Sequence, residues 1–260
     1  MKTNYLGIIS GATFFCGTFA TASAAVSIGA WNSTRAGAIQ NIFDGTAYTA
    51  LRSSLSTNFP GSTLSGTATL TNGYLSGVNL LIIQSSVDGA NIPISVLSAG
   101  EQTALFDFVK NGGSAIIATD NGFGYAAASA SLVSPFGITD SGVTLSGTQI
   151  CSITNPSANP ITNGPFGTTS SLTYGFSGGY SALGPFATSI GTVSGFTGLA
   201  YIAPNAIQPG SGSVIFFSDT LSGDEPMNNL VSNMASTIPE PSALLLSALG
   251  GFALLHRRRR

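Results

Sequence analysis

Apolar residues along this 260-residue chain fall into short unbroken runs, separated by stretches rich in glycine, serine and threonine. Runs of that length are expected of strands buried on both faces of a parallel sheet. Residues 26–31 read as a first strand. A helix is predicted over 45–57, because Tyr48, Leu51, Leu55 and Phe59 recur at helical spacing. After a polar stretch at 63–69, residues 79–84 (Asn-Leu-Leu-Ile-Ile-Gln) form the clearest strand. Ser98 and Glu101 then make a capping box that opens a helix with Leu105, Phe106, Phe108 and Val109 on its apolar side. Asn111-Gly112-Gly113 stops that helix, and residues 114–119 return to buried strand, so 79–119 read as one βαβ unit with a right-handed crossover. Strands at 199–203 and 213–218 and a helix at 226–235 complete a three-layer α/β fold with a mostly parallel sheet.

The segment 121–192 is different in grain. Gly, Ser and Pro punctuate it, and Gly164-Pro165-Phe166-Gly167 is echoed by Gly184-Pro185-Phe186. It reads as a loop-rich insertion, apart from an alternating strand at 147–153. Its aromatic residues Phe166, Tyr174, Phe176, Tyr180 and Phe186 either pack long loops over the sheet edge, the favoured reading, or form a face for stacking sugars.

Both ends of the chain have their own grammar. Lys2, an apolar stretch over 6–20 and Ala22-Ser23-Ala24 have the order of a secretory signal, which places the mature start near Ala25. Cys16 follows the bulky Phe15, which argues against lipidation there. At the other end stand Pro239-Glu240-Pro241, an uncharged run over 242–255, His256 and four arginines, Arg257, Arg258, Arg259 and Arg260. Pro241 suits the first turn of a helix. Fourteen helical residues extend about 21 Å against an apolar bilayer core of about 30 Å, a transmembrane helix short for a permanent anchor and adequate for a transient one. A turn, an apolar run and a basic stop in that order resemble the PEP-CTERM signal of Gram-negative bacteria. The resemblance implies recognition and cleavage by an exosortase after the secretion machinery has delivered the chain to the inner membrane. The expected organisation is a signal peptide at 1–24, an exported α/β domain at 25–237 and a sorting signal at 238–260.

Removing both signals leaves Arg35, Arg52 and Lys110 against nine acids, a net charge of −6. Nucleic acid is thereby disfavoured as a partner. Charged residues are only 7% of the chain, so hydroxyls, amides and backbone solvate the surface. The lone histidine, His256, lies in the tail, and Cys151 is the only cysteine between the signals. A disulfide, a His-dependent triad and a His/Cys zinc cluster are therefore excluded within one mature chain. Cys151 reads as a buried thiol. Asn32-Ser33-Thr34 is a formal glycosylation sequon, of little use in the bacterial host that the tail implies.

Residues 79–119 also resemble the class I glutamine-amidotransferase-like superfold, in particular its trehalose-utilisation-protein-like branch. The resemblance rests on Ser98-x-x-Glu101, on Phe108-Val109-Lys110-Asn111-Gly112-Gly113, on Asp120-Asn121 closing a strand and on the glycine loop from Asn159 to Gly167. It implies a flavodoxin-like layer order. It also implies a cysteine on the turn after the central strand, with histidine and glutamate downstream. Here the turn reads Asp120-Asn121-Gly122-Phe123-Gly124, so that chemistry is absent.

A crevice beyond the carboxyl ends of the strands remains. Those ends bear Asn32, Ser85, Ser86, Asp88, Asp120, Asn121 and Asp219. Such oxygens can bind sugar hydroxyls or a calcium ion, and they are equally the ordinary residues of caps and turns. The sequence therefore predicts no resident metal or cofactor. It predicts a noncatalytic, exported surface or matrix protein associated with polysaccharide or the cell envelope. The alternative is a secreted glycan hydrolase that uses paired aspartates such as Asp120 and Asp219.

Overall fold

The structure is a computed structural model that describes residues 25–87 and 92–238. The secretory signal, Asp88, the Pro239-Glu240-Pro241 turn, the apolar run and the terminal arginines lie outside the described residues. Eleven strands share one sheet: β1 (Ser27–Trp31), β2 (Thr63–Thr67), β3 (Leu80–Gln84), β4 (Ser114–Ala118), β5 (Thr139–Asp140), β6 (Gln149–Ile153), β7 (Ser171–Tyr174), β8 (Tyr180–Ala182), β9 (Thr188–Val193), β10 (Phe196–Ile202) and β11 (Val214–Phe217). Their main path runs β7-β6-β9-β10-β11-β4-β3-β1-β2. The pairings from β11 to β2 are parallel, while β10, β9, β6 and β7 extend the sheet antiparallel.

Alternation along the central strands builds the three layers. Leu80, Ile82, Ile116, Ala118, Ile215 and Phe217 meet α1 (Thr49–Asn58) and a helix at Glu225–Ser236 on one face. Leu81, Ile83, Ala115, Ile117, Val214 and Phe216 meet α2 (Ala99–Lys110) and α3 (Gly122–Val133) on the other. The Glu225–Ser236 helix is α4. Every residue of β3, β4 and β11 is buried, which explains why these strands read as continuous apolar runs. The capping box forms as expected, with Glu101 N donating to Ser98 Oγ at 3.3 Å and Ser98 N donating to Glu101 Oε2 at 3.0 Å.

Three expectations change. The polar stretch at 63–69 contains β2, an edge strand whose half-exposed positions need no apolar run. The helix predicted over 45–57 divides into a 3-10 turn at Thr46–Tyr48 and α1. The loop-rich insertion holds, besides the expected strand β6, α3 and the strands β5, β7, β8 and β9, and β7 alternates exposed and buried positions. Half-buried antiparallel strands made of Ser, Thr and Gly lack the unbroken hydrophobicity that reveals their parallel neighbours. Among the described residues no helix is long and apolar enough to cross a membrane.

Candidate functional site

β4 and β11 are adjacent, parallel and in register, with Ala118 opposite Phe217. Asp120 and Asp219 each follow two positions later, so both emerge at the carboxyl end of the sheet towards the α1 and α4 side. Next to them, Gln84 ends β3 opposite Ala118. Its Oε1 accepts from the Tyr48 hydroxyl at 2.8 Å, and its Nε2 donates to Gln40 O at 2.9 Å. Sequence position alone does not join Tyr48 to this group, since it lies on a different segment.

The two aspartates are buried, at 8% and 6% exposure. Burial pushes the Asp120 carboxyl up to about 7; hydrogen bonds from Asn121 oppose this, and the nearby Asp219 charge reinforces it. Asp219 is raised by burial as well, against hydrogen bonds from Gly175 and Thr220. Tyr48 is pushed up to about 12, mainly by burial, with both carboxylates contributing. The three Lys and Arg side chains among the described residues are placed elsewhere. Arg35 pairs with Glu101 at 3.0 Å, Arg52 donates to Ile42 O and Gly45 O, and Lys110 sits in the last turn of α2, towards the amino end of the sheet.

The expected crevice is roofed by the chain itself. Gly175 N donates to Asp219 Oδ2 at 2.6 Å, and Phe176 O accepts from Asn121 Nδ2 at 3.0 Å. Leu145 N donates to Ser177 O at 2.8 Å, and Gly178 N donates to Ser218 O at 2.7 Å. Asn121 ties the turn together. Its backbone N and Nδ2 donate to Asp120 Oδ1 at 2.7 and 2.8 Å, and its Oδ1 caps α3 by accepting from Phe123 N at 2.8 Å. The next residue must be glycine, because a Cβ at Gly122 would stand 1.8 Å from Gly142 O. Two positions later Gly124 takes φ +88°, a conformation that suits glycine alone and breaks the first turn of α3 at Phe123.

An open cleft of about 300 Å³ remains outside this roof, lined by Asn121, Phe123, Tyr125, Thr144 and Phe176. Phe123 is 76% and Phe176 60% exposed. A larger cleft of about 420 Å³ lies at the opposite, amino end of the sheet, between α2 and the Asn72–Leu75 turn. It contains no pair of raised acids.

Of the sequence-predicted residues, the fold brings Asp120, Asn121 and Asp219 together. Asn32 is engaged as a cap, accepting from Thr34 N at 3.1 Å, and Ser85 is buried beyond the end of β3. Cys151 is buried, and burial pushes its thiol up to about 11. Tyr174 and Tyr180 are core residues, while Phe166 packs on Phe59 at 5.3 Å and Phe186 is half-buried. Phe176 alone of those five stands out in solvent. Phe123 was not singled out in the sequence, although an aromatic between two glycines directly after a strand was available as a signal.

Residues 237–260 match the PEP-CTERM protein-sorting motif. The match supports an exported, envelope-directed protein and a transient encounter with an exosortase. No curated protein matches this chain. Among solved structures it is similar to the "mmIFT52 N-terminal domain", at 17% identity over 73% of this chain and 90% of that one, with a TM-score of 0.52. Similar too are the cytoplasmic proteins STM3548 (13% identity, 74% and 87% coverage, TM-score 0.53) and STM1381 (12%, 75% and 88%, 0.52) of Salmonella typhimurium. Likeness at these identities describes the fold and nothing finer.

Proposed function

We propose that this protein is exported, held briefly in the inner membrane of a Gram-negative bacterium, cut by an exosortase, and released as a noncatalytic envelope or matrix domain that associates with extracellular polysaccharide. The sorting motif at 237–260 carries this reading. The acidic, hydroxyl-rich composition agrees with it, and so does an amidotransferase-like turn that bears Asp120 and Asn121 in place of a nucleophile. Mass spectrometry of the protein made in a host with an exosortase, and in the same host with the exosortase deleted, tests the route. Loss of Arg257 to Arg260 only where the enzyme is present is the expected result. An intact carboxyl terminus in both hosts would overturn it.

A second reading, hydrolysis of glycans, draws on one observation: a buried acid pushed up to about 7 beside a second acid is the arrangement of a general acid and its partner. The roof over Asp219, with both carboxylate oxygens accepting backbone hydrogen bonds, weighs against it. Release of reducing ends that disappears in Asp120→Asn would favour the hydrolase.

A further inference from the structure

We infer that the cleft formed by Phe123, Phe176, Tyr125, Asn121 and Thr144 is a binding site for one ring of an uncharged glycan, with Phe123 and Phe176 as its stacking surfaces. This rests on the polysaccharide-binding reading above and names its site. Only five large hydrophobic side chains are substantially exposed among the described residues; Ile39, Val96 and Ile150 line neither cleft, whereas Phe123 and Phe176 share one. Fifty-three positions separate them in the chain, so their meeting is a product of the fold.

The backbones that carry the two rings are held by one amide. Asn121 accepts from the backbone N–H of Phe123 and donates to the backbone carbonyl of Phe176, at 2.8 and 3.0 Å. The segments on either side are fixed as well, by Gly175 N on Asp219, Gly178 N on Ser218 O and Gly122 N on Val143 O at 2.9 Å. Backbone held this firmly has little freedom left to lose when a ligand arrives, which favours binding.

The chemistry of the lining selects the ligand class. Aromatic faces cover the C–H face of a pyranose, while the exposed Thr144 hydroxyl offers a polar atom at the edge. No Lys or Arg lines the cleft, and Asp120 stands directly behind Asn121. A carboxylated or sulfated sugar would therefore find no counter-charge in the lining. At about 300 Å³ the cleft is at the small end of ligand pockets and is concave, unlike the broad, flat patch that a protein partner would need.

The test uses the full chain in lipid nanodiscs, titrated calorimetrically with maltohexaose, cellohexaose and laminarihexaose, and with polygalacturonate as the anionic probe. Binding of a neutral hexasaccharide is expected. Phe123→Ala or Phe176→Ala should each weaken it by about tenfold, while Ile150→Ala, at an exposed apolar position elsewhere, leaves it unchanged. Circular dichroism melts of the variants separate lost contact from lost fold. Binding that survives the double Phe123→Ala, Phe176→Ala variant overturns this site yet leaves polysaccharide association standing. Preference for polygalacturonate overturns the assignment to uncharged sugars. Absence of binding to every neutral hexasaccharide overturns the inference, and a dimer that dissociates in the double variant would assign the cleft to a second copy of the chain.

Discussion

Replacing Asp120 by Asn should stabilise the protein at alkaline pH and change little at acid pH. Folding moves this carboxyl from an ordinary value near 3.8 to about 7, chiefly through burial. Between pH 4 and pH 7 the unfolded chain has released a proton that the folded chain retains, so stability falls as pH rises across this window. Three pH units of displacement correspond to about 4 kcal/mol, a ceiling reached above pH 7. Asparagine keeps the side-chain oxygen that accepts from Asn121 N and Nδ2, so the turn retains its hydrogen bonds. It also relieves Asp219 of a like charge. A gain of about 2 to 4 kcal/mol is therefore expected at pH 8, seen as a Tm higher by roughly 5 to 15 °C, shrinking below about 1 kcal/mol at pH 4. Thermal and urea melts of both proteins at pH 4, 6 and 8 make the comparison. Equal stability at pH 8, or a gain of the same size at every pH, would refute the argument that an uncompensated buried charge is the cause.

Two further outcomes follow from single side chains. Arg35 donates to Glu101 Oε1 at 3.0 Å, to Ala68 O at 3.0 Å and to Ser95 O at 2.8 Å, and stacks 4.7 Å above the Trp31 ring. Arg35→Ala leaves the buried Glu101 without its counter-charge and should cost about 3 to 5 kcal/mol in urea unfolding, so a loss below about 1 kcal/mol would contradict this role. Cys151 is fully buried with its thiol raised to about 11, so a maleimide at pH 7 should leave the Cys151 peptide unmodified in the folded protein and label it completely in urea, as read by mass spectrometry. Rapid labelling without urea would contradict the burial.

The legible parts of the fold share a cause. Leu80–Gln84 and Ser114–Ala118 are buried on both faces, and Ser98 with Glu101 forms a cap from residues three apart, so local sequence contains the whole signal. β2, α3 and the strands β5, β7, β8 and β9 of the antiparallel wing escaped notice because their identity depends on neighbours. β2 is a strand only because β1 lies beside it, and β7 pairs with β6 across a loop that sequence shows as polar. At the candidate site, Asp120, Asn121 and Asp219 were legible as strand ends, while their engagement by Gly175, Thr220 and the α3 cap was not. Asn32 shows the cost of reading oxygens alone, since its side chain is a cap.

The sequence by itself determined the address and the chemical inventory. The tail that matches a sorting motif, the acidic balance and the confinement of histidine to the tail are properties of composition and order, which need no fold to hold. The tertiary structure alone decided how that inventory is arranged. It placed two acids side by side through strand register, drew residues 175–178 over them, and left Phe123 and Phe176 facing solvent at one cleft. Local periodicity reports which face of an element is buried. Which distant elements meet is set by pairing and packing, and those contacts decide which polar groups are engaged and which aromatic faces stay open.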